Sequence, residues 1–94
     1  MIRSFRDKGT EAIFNGRFIR RLPKSLAPVA ARKLNQIHAA GRLDDLKVPP
    51  GNRLEALKGD RRGQHSIRIN DQWRICFTWS EAGAEAVEIV DYHS

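Results

Sequence analysis

The chain has 94 residues, 40% of them hydrophobic, and no low-complexity tract, which predicts one domain spanning residues 1–94 around one core. No apolar run is long enough to span a bilayer, so a soluble protein is expected. The charged opening Met1-Ile2-Arg3-Ser4-Phe5-Arg6 lacks the apolar centre of a secretion signal, and a cytoplasmic location follows as the expectation. Seventeen Lys and Arg against eleven Asp and Glu give a net charge of +6. The excess lies in residues 1–47, with eleven basic and four acidic side chains, and it favours a polyanionic partner.

In chain order, Ile2 and Phe5 form a short apolar start suited to an edge strand. Ile13, Phe14 and Phe18 then recur at helical spacing and predict a helix within 7–19. A basic connection, Arg17 to Lys24, is interrupted by Pro23. A second helix is predicted from Ser25, as N-cap, to Ala40. Its apolar face is Leu26, Val29, Ala30, Leu34 and Ile37, with Arg32, Lys33, Asn35 and Gln36 outside it and His38 bordering the core. Pro28 fits only in the first turn, and Gly41 ends the helix.

Val48-Pro49-Pro50-Gly51-Asn52 separates helices from strands. The predicted strands are 53–58, 64–70, 73–79 and 85–92, with Asn70-Asp71-Gln72 as one turn and 81–84 as another. Consecutive strands and tight turns give an antiparallel sheet with both helices on one face, an α+β fold. Alternation directs Trp73, Ile75, Phe77 and Trp79 toward the helices and sends Arg74, Cys76 and Thr78 to the other face, with Ser66, Arg68 and Asn70 beside them. That face is expected to be an open, polar and basic surface. The lone Cys76 has no disulfide partner and is expected to pack as a small hydrophobe.

The final residues Asp91-Tyr92-His93-Ser94 fall beside Arg74. His exchanges protons near neutral pH, Asp orients it, Tyr stacks or hydrogen-bonds, and Arg offsets phosphate charge. The chain has no P-loop, no dinucleotide fingerprint and no metal-binding His pair, and three scattered histidines with one cysteine do not predict zinc. The inventory suits metal-free chemistry on RNA, whose 2'-hydroxyl is an internal nucleophile.

Taken in order, Arg53-Leu54-Glu55-Ala56-Leu57-Lys58-Gly59-Asp60, Gly63-Gln64-His65-Ser66-Ile67-Arg68-Ile69-Asn70, Trp73-Arg74-Ile75-Cys76-Phe77 and Asp91-Tyr92-His93 resemble HigB-type toxins of the RelE-like toxin–antitoxin superfamily. The opening Met1-Ile2-Arg3-Ser4-Phe5 fits as well. The resemblance implies a RelE-like fold, two helices on one face of an antiparallel sheet of four to five strands. It implies ribosome-dependent mRNA cleavage in the decoding site, without metal or organic cofactor. It also implies a helix-turn-helix antitoxin of the HigA type, through which alone the toxin would meet operator DNA.

By position, Lys58 and Arg74 match basic residues assigned to the phosphate, and Asp91, Tyr92 and His93 match the terminal catalytic motif. Arg68 is a further RNA-binding candidate on the predicted outer face. In this scheme His93 is general acid or base, Asp91 orients it, and Tyr92 holds or stacks on the substrate. Many relatives carry His where this chain has Glu55, so Glu55 is either a base, a group that repels the phosphate, or a surface carboxylate paired with Arg53 or Lys58. Simple alternation over three residues would set Glu55 and Lys58 on opposite faces. ParE-type toxins resemble the same scaffold and inhibit DNA gyrase by binding, which makes non-enzymatic inhibition the alternative function.

Overall fold

The computed structural model describes residues 1–92. Helix α1 (Lys8–Phe14) is shorter than the periodicity predicts. Asp7 starts it by accepting a hydrogen bond from the Thr10 N–H, while Gly16 at φ 85° turns the chain away before Phe18 can join the apolar face. Phe18 is consequently exposed. Helix α2 (Ala27–Ala39) follows a 3-10 turn at Lys24–Leu26, so Ser25 lies in that turn and is not the N-cap; Pro28 does fall in the first turn of the helix. Leu34, Ile37 and Ala30 are completely buried, and His38 accepts a hydrogen bond from the Ile2 N–H, a structural role.

Lys33 departs from the amphipathic reading, being buried rather than outside the apolar face. Its ammonium donates to the side-chain Oδ1 of Asn52, and the Asn52 Nδ2 donates in turn to the Leu46 carbonyl at 3.2 Å and to Gln36 Oε1 at 3.1 Å. This internal polar link ties α2 to the irregular segment 43–53. Burial, followed by the neighbouring positive charges of Arg32 and Arg68, holds the Lys33 ammonium below its ordinary pKa.

Among the described residues the sheet has four strands in the order β1 (Glu55–Ala56), β2 (Gln64–Arg68), β3 (Trp73–Ser80) and β4 (Gly83–Asp91), each antiparallel to its neighbour. With both helices packed on it, the fold is α+β, as the hydrophobic pattern requires. Ile67, Ile75, Phe77, Val87 and Ile89 form the sheet side of the core. The Asn70 side chain accepts from the N–H groups of Gln72 and Trp73 and so builds the β2–β3 turn. A bulge opposite Phe77, with Ala86 at φ 52°, keeps both Ala84 and Val87 inward although they are three residues apart. No helix among the described residues is long and apolar enough to cross a membrane.

The free edge of β4 is covered in two ways. Residues Ile2 and Phe5 make parallel bridges to Ala84 and Val87, which bears out the expected edge pairing. Beyond them, the Ile89 N–H donates to the Thr10 hydroxyl at 3.0 Å and the Ile89 carbonyl accepts from Arg21 at 3.0 Å. Arg21 also donates to Asp7 at 3.1 Å, and the Thr10 hydroxyl donates to the same carboxylate at 2.6 Å. Burial alone would raise the Asp7 pKa, but the hydrogen bonds from Thr10 and Arg21 outweigh it and hold this carboxyl below its ordinary value.

Two outcomes follow for stability. Replacing Thr10 by Val should leave the buried Ile89 N–H without an acceptor and lower unfolding free energy by about 1–3 kcal/mol, measured by urea denaturation. Because the folded-state pKa of Asp7 is depressed, its stabilisation is present above the ordinary carboxylate value and is lost as pH falls through the folded value. Asp7→Asn should therefore be less stable than the native protein at neutral pH and should lose less stability on acidification; parallel stability curves would refute the network.

Candidate functional site

The site is built on the sheet face opposite the helices. Register places Glu55 opposite Ser66, Ser66 opposite Cys76, Arg68 opposite Arg74, and Arg74 opposite Val90. Those residues share the outer face because β positions directly opposite each other point the same way. The outward set predicted from alternation is thus correct for Ser66, Arg68, Arg74 and Cys76. The expected openness is not.

Cys76 is completely buried and only 14% of the Arg74 side chain is exposed. Tyr92 covers the thiol, its phenol 3.5 Å from Cys76 Sγ, and Arg61, hydrogen-bonded to Glu88 opposite Cys76, acts electrostatically on both groups. Cys76 packs as the small hydrophobe expected, but on the outer face.

Arg74 is held by uncharged acceptors. Its Nε donates to the Ser66 hydroxyl at 2.7 Å and Nη2 to the Arg53 carbonyl at 2.8 Å. Arg53 sits in left-handed backbone at φ 46°, the turn out of the Pro50–Asn52 segment that aims this carbonyl at Arg74. A carboxylate of Glu55 stands 4.0 Å from Nη2, at the edge of ion-pair range. Nη1 has no protein acceptor among the described residues, so a fixed guanidinium keeps a donor and most of its charge for an anion.

Glu55 is therefore on Arg74's face and pairs with Arg74, not with Arg53 or Lys58. Strand β1 has only two residues, shorter than the six predicted, so Lys58 lies beyond it at the entry to a 3-10 turn, Gly59–Arg61, and the alternation argument does not extend to it. Lys58 is exposed; its carbonyl accepts from the Arg61 N–H at 3.2 Å, and its ammonium has no protein partner among the described residues. Arg68 is engaged with Asp71, which offsets the like charge of Arg74 across the ladder.

Asp91 is opposite Trp73, so Val90 rather than Asp91 shares Arg74's face; Asp91 accepts from the Gln72 side chain at 3.2 Å. The Tyr92 N–H donates to the Gln72 carbonyl at 2.6 Å, which anchors the end of β4. His93 lies outside the described residues. His65, opposite Phe77 on the helix side of the sheet, does not join the site.

Sequence reasoning missed Arg61. It donates to Gln64 at 3.0 Å and to Glu88 at 3.2 Å, stretching from the turn between β1 and β2 to β4. The signal available was Gly59 and Gly63 bracketing a basic run: both take positive φ, 63° and 92°, and close the turn tightly over the sheet.

Burial and the hydrogen bond with the Cys76 thiol push the Tyr92 phenol up to about 12, while burial also pushes the Cys76 thiol up. At neutral pH both are protonated. Tyr92 can donate a hydrogen bond or stack on a base, and it cannot take a proton from a substrate hydroxyl.

A family model described as the RelE-like toxin of type II toxin–antitoxin system HigB matches residues 3–93. The chain belongs to this family. Toxin HigB-1 of Vibrio cholerae is 39% identical over 85 residues, covering 89% of this chain and 90% of that protein. Endoribonuclease HigB of Proteus vulgaris is 31% identical over 93 residues, covering 99% of this chain and 100% of that protein. As a type II toxin, the protein has an antitoxin as its partner.

Tyr92 is the sole tyrosine of this toxin, so its ionisation can be followed alone by phenolate absorbance. A midpoint near 12 is expected, against about 10 for the unfolded chain. Since the folded-state value is raised, the associated stability is present below about pH 10 and is lost as pH rises toward 12. A midpoint near 10 with native circular dichroism would separate the phenol from Cys76.

Proposed function

We propose that this HigB-family toxin is an endoribonuclease that cleaves mRNA on the ribosome and thereby stops translation, and that its antitoxin is a helix-turn-helix protein of the HigA type. The observation that carries the reading is Arg74, fixed by Ser66 and the Arg53 carbonyl, with a donor left over beside the Tyr92 phenol and the Glu55 carboxylate. The relative in Proteus vulgaris bears the name of an endoribonuclease.

In the proposed reaction a ribose 2'-oxygen attacks the adjacent phosphorus, the bond from phosphorus to the 5'-oxygen breaks, and a 2',3'-cyclic phosphate forms. The 2'-hydroxyl proton goes to a base and the departing 5'-oxygen receives a proton. Arg74 and Lys58 offset the charge growing on the phosphoryl oxygens. Arg68, tied to Asp71, contributes to the positive potential along the RNA backbone. Tyr92, protonated at neutral pH, donates to or stacks on the substrate.

With Tyr92 excluded as base, the proton transfers fall to Glu55 and His93. Glu55 is more than half exposed, at the rim of the Arg74 site, and a carboxylate there accepts or orients a proton but does not readily supply one. His93, with Asp91 as its orienting neighbour, is the general acid in this scheme. The Tyr92 and Glu55 side chains both reach solvent, so the rim of the covered site is accessible to a large ribonucleoprotein partner. A ribosome would supply the opposite wall and align the in-line geometry, which accounts for dependence on translation.

The test is a translating extract in which new RNA 5' ends are mapped. Native protein should generate them only when ribosomes translate, and equal cutting of naked transcript would overturn ribosome dependence. Arg74→Gln should lower the cleavage rate by about 10²-fold or more. His93→Ala should be slower by about 10²- to 10⁴-fold, and Glu55→Gln should cost less. A Glu55→Gln variant as inactive as His93→Ala would make Glu55 the principal base. Growth arrest with gyrase inhibition and no new RNA ends would replace the nuclease reading with the ParE-like one.

A further inference from the structure

Arg61 lies on the same face as Arg74 but is held differently. Both of its protein hydrogen bonds, to Gln64 at 3.0 Å and to Glu88 at 3.2 Å, use Nη1. A guanidinium has five N–H donors, so the Nε and Nη2 donors have no protein acceptor among the described residues. About a third of the side chain reaches solvent. The carboxylate that restrains it is shared, because Glu88 also lies 3.9 Å from Arg6. Register sets Glu88, the partner of Arg61, opposite Cys76, and Cys76 is two residues along β3 from Arg74, so both arginines neighbour the Cys76–Tyr92 pair and act electrostatically on it.

We infer that Arg61 is a second RNA-phosphate-binding arginine of the site, held in readiness by Glu88 and contacting a backbone phosphate next to the one bound by Arg74. The inference rests on the endoribonuclease reading. Arg74 is locked by neutral acceptors and suits a fixed position at the reacting phosphate. Arg61 is on a turn closed by Gly59 and Gly63, and its ion pair with Glu88 can exchange for a phosphate without leaving either partner bare, since Glu88 keeps Arg6 beside it. Its planar fork matches a phosphate in two-donor geometry using the Nε and Nη2 edge, which the protein leaves open.

The experiment measures binding of the full-length protein to a short fluorescent single-stranded RNA across a salt series, without ribosomes. Each phosphate contact on a single strand contributes about 0.7 to the slope of log affinity against log salt. Arg61→Gln should reduce that slope by about 0.7 with unchanged circular dichroism, and Arg61→Lys should retain most of it. Glu88→Gln should bind RNA about two- to fivefold more tightly at low salt, as expected for release of one partly exposed ion pair. Glu81→Gln, the same charge change in the β3–β4 turn, measures the effect of net charge and should stay near native affinity.

An unchanged slope for Arg61→Gln, including the flat response of a protein that does not bind the oligonucleotide, overturns the inference. Arg74→Gln separates the causes. If it alone lowers the slope, Arg61 is a structural latch and the nuclease site stands; if neither variant does, the phosphate reading of the whole face fails. Should Arg61→Gln fail to fold, Glu88→Gln decides, and affinity no higher than that of Glu81→Gln refutes the held-in-readiness role.

Discussion

Strand β3 is enclosed on both faces, and the arrangement of everything else around it depends on that. On one side Trp73, Ile75 and Phe77 enter the helix-covered core. On the other, Cys76 is buried against Tyr92, and Arg74 is mostly covered. A bare polar sheet face would leave an arginine hydrated and free to move through many rotamers. Here the cover removes water from one side of the guanidinium, and the Ser66 hydroxyl and Arg53 carbonyl replace that water with fixed acceptors. The result is a preorganised cation, which costs little reorganisation when charge develops opposite it.

The distribution of partners among the basic residues of this face sorts them by use. A cation bound by a carboxylate offers a reduced field, as at Arg68 with Asp71 and at Arg61 with Glu88. Arg74 is bound chiefly by neutral groups, with Glu55 at the limit of ion-pair distance, so more of its field remains directed outward. Desolvating a charge without a close counter-ion is unfavourable, and the three hydrogen bonds from Arg74 to Ser66 and Arg53 offset part of that cost. Such an arrangement is poor as a stabilising element and good as an anion receptor.

Period-2 alternation made β3 and the inward pair Ile67 and Ile69 legible from the sequence, because a strand buried on its helix side must repeat its large apolar residues at every second position. Cys76 was legible as a packed thiol, but not its cover, since Tyr92 and Arg61 approach it from 16 and 15 positions away in the chain and no local pattern encodes that meeting. The relation of Glu55 to Lys58 was not legible either. Alternation over 53–58 presumes one continuous strand, whereas left-handed backbone at Arg53 and Gly59 interrupts that span and only Glu55 and Ala56 pair as strand within it. Helix α1 was overextended because the Ile13, Phe14 and Phe18 spacing carries no mark of the reversal at Gly16. Helical spacing sets Lys33 outside the apolar face, and nothing local marks its burial, because a buried ammonium is rare and its acceptor, Asn52, ends a Pro-Gly segment far along the chain.

The uneven charge of the sequence also takes a different meaning in the fold. The basic excess of residues 1–47 suggests a surface for a polyanion, yet Arg21 spends its donors on Asp7 and the Ile89 carbonyl, and Lys33 is internal. Ile89 is two residues from Asp91 and three from Tyr92. By fixing both backbone groups of Ile89, Thr10 and Arg21 clamp the strand whose end brings the Tyr92 phenol to the Cys76 thiol on the face bearing Arg74. Arg21 thus acts on the site mechanically through β4, Arg6 meets that site only through Glu88, and the cations of the proposed chemistry, Lys58, Arg61, Arg68 and Arg74, come from the half of the chain whose net charge is slightly negative. Net charge indicates the class of partner, whereas the register of four short strands selects which charges meet it.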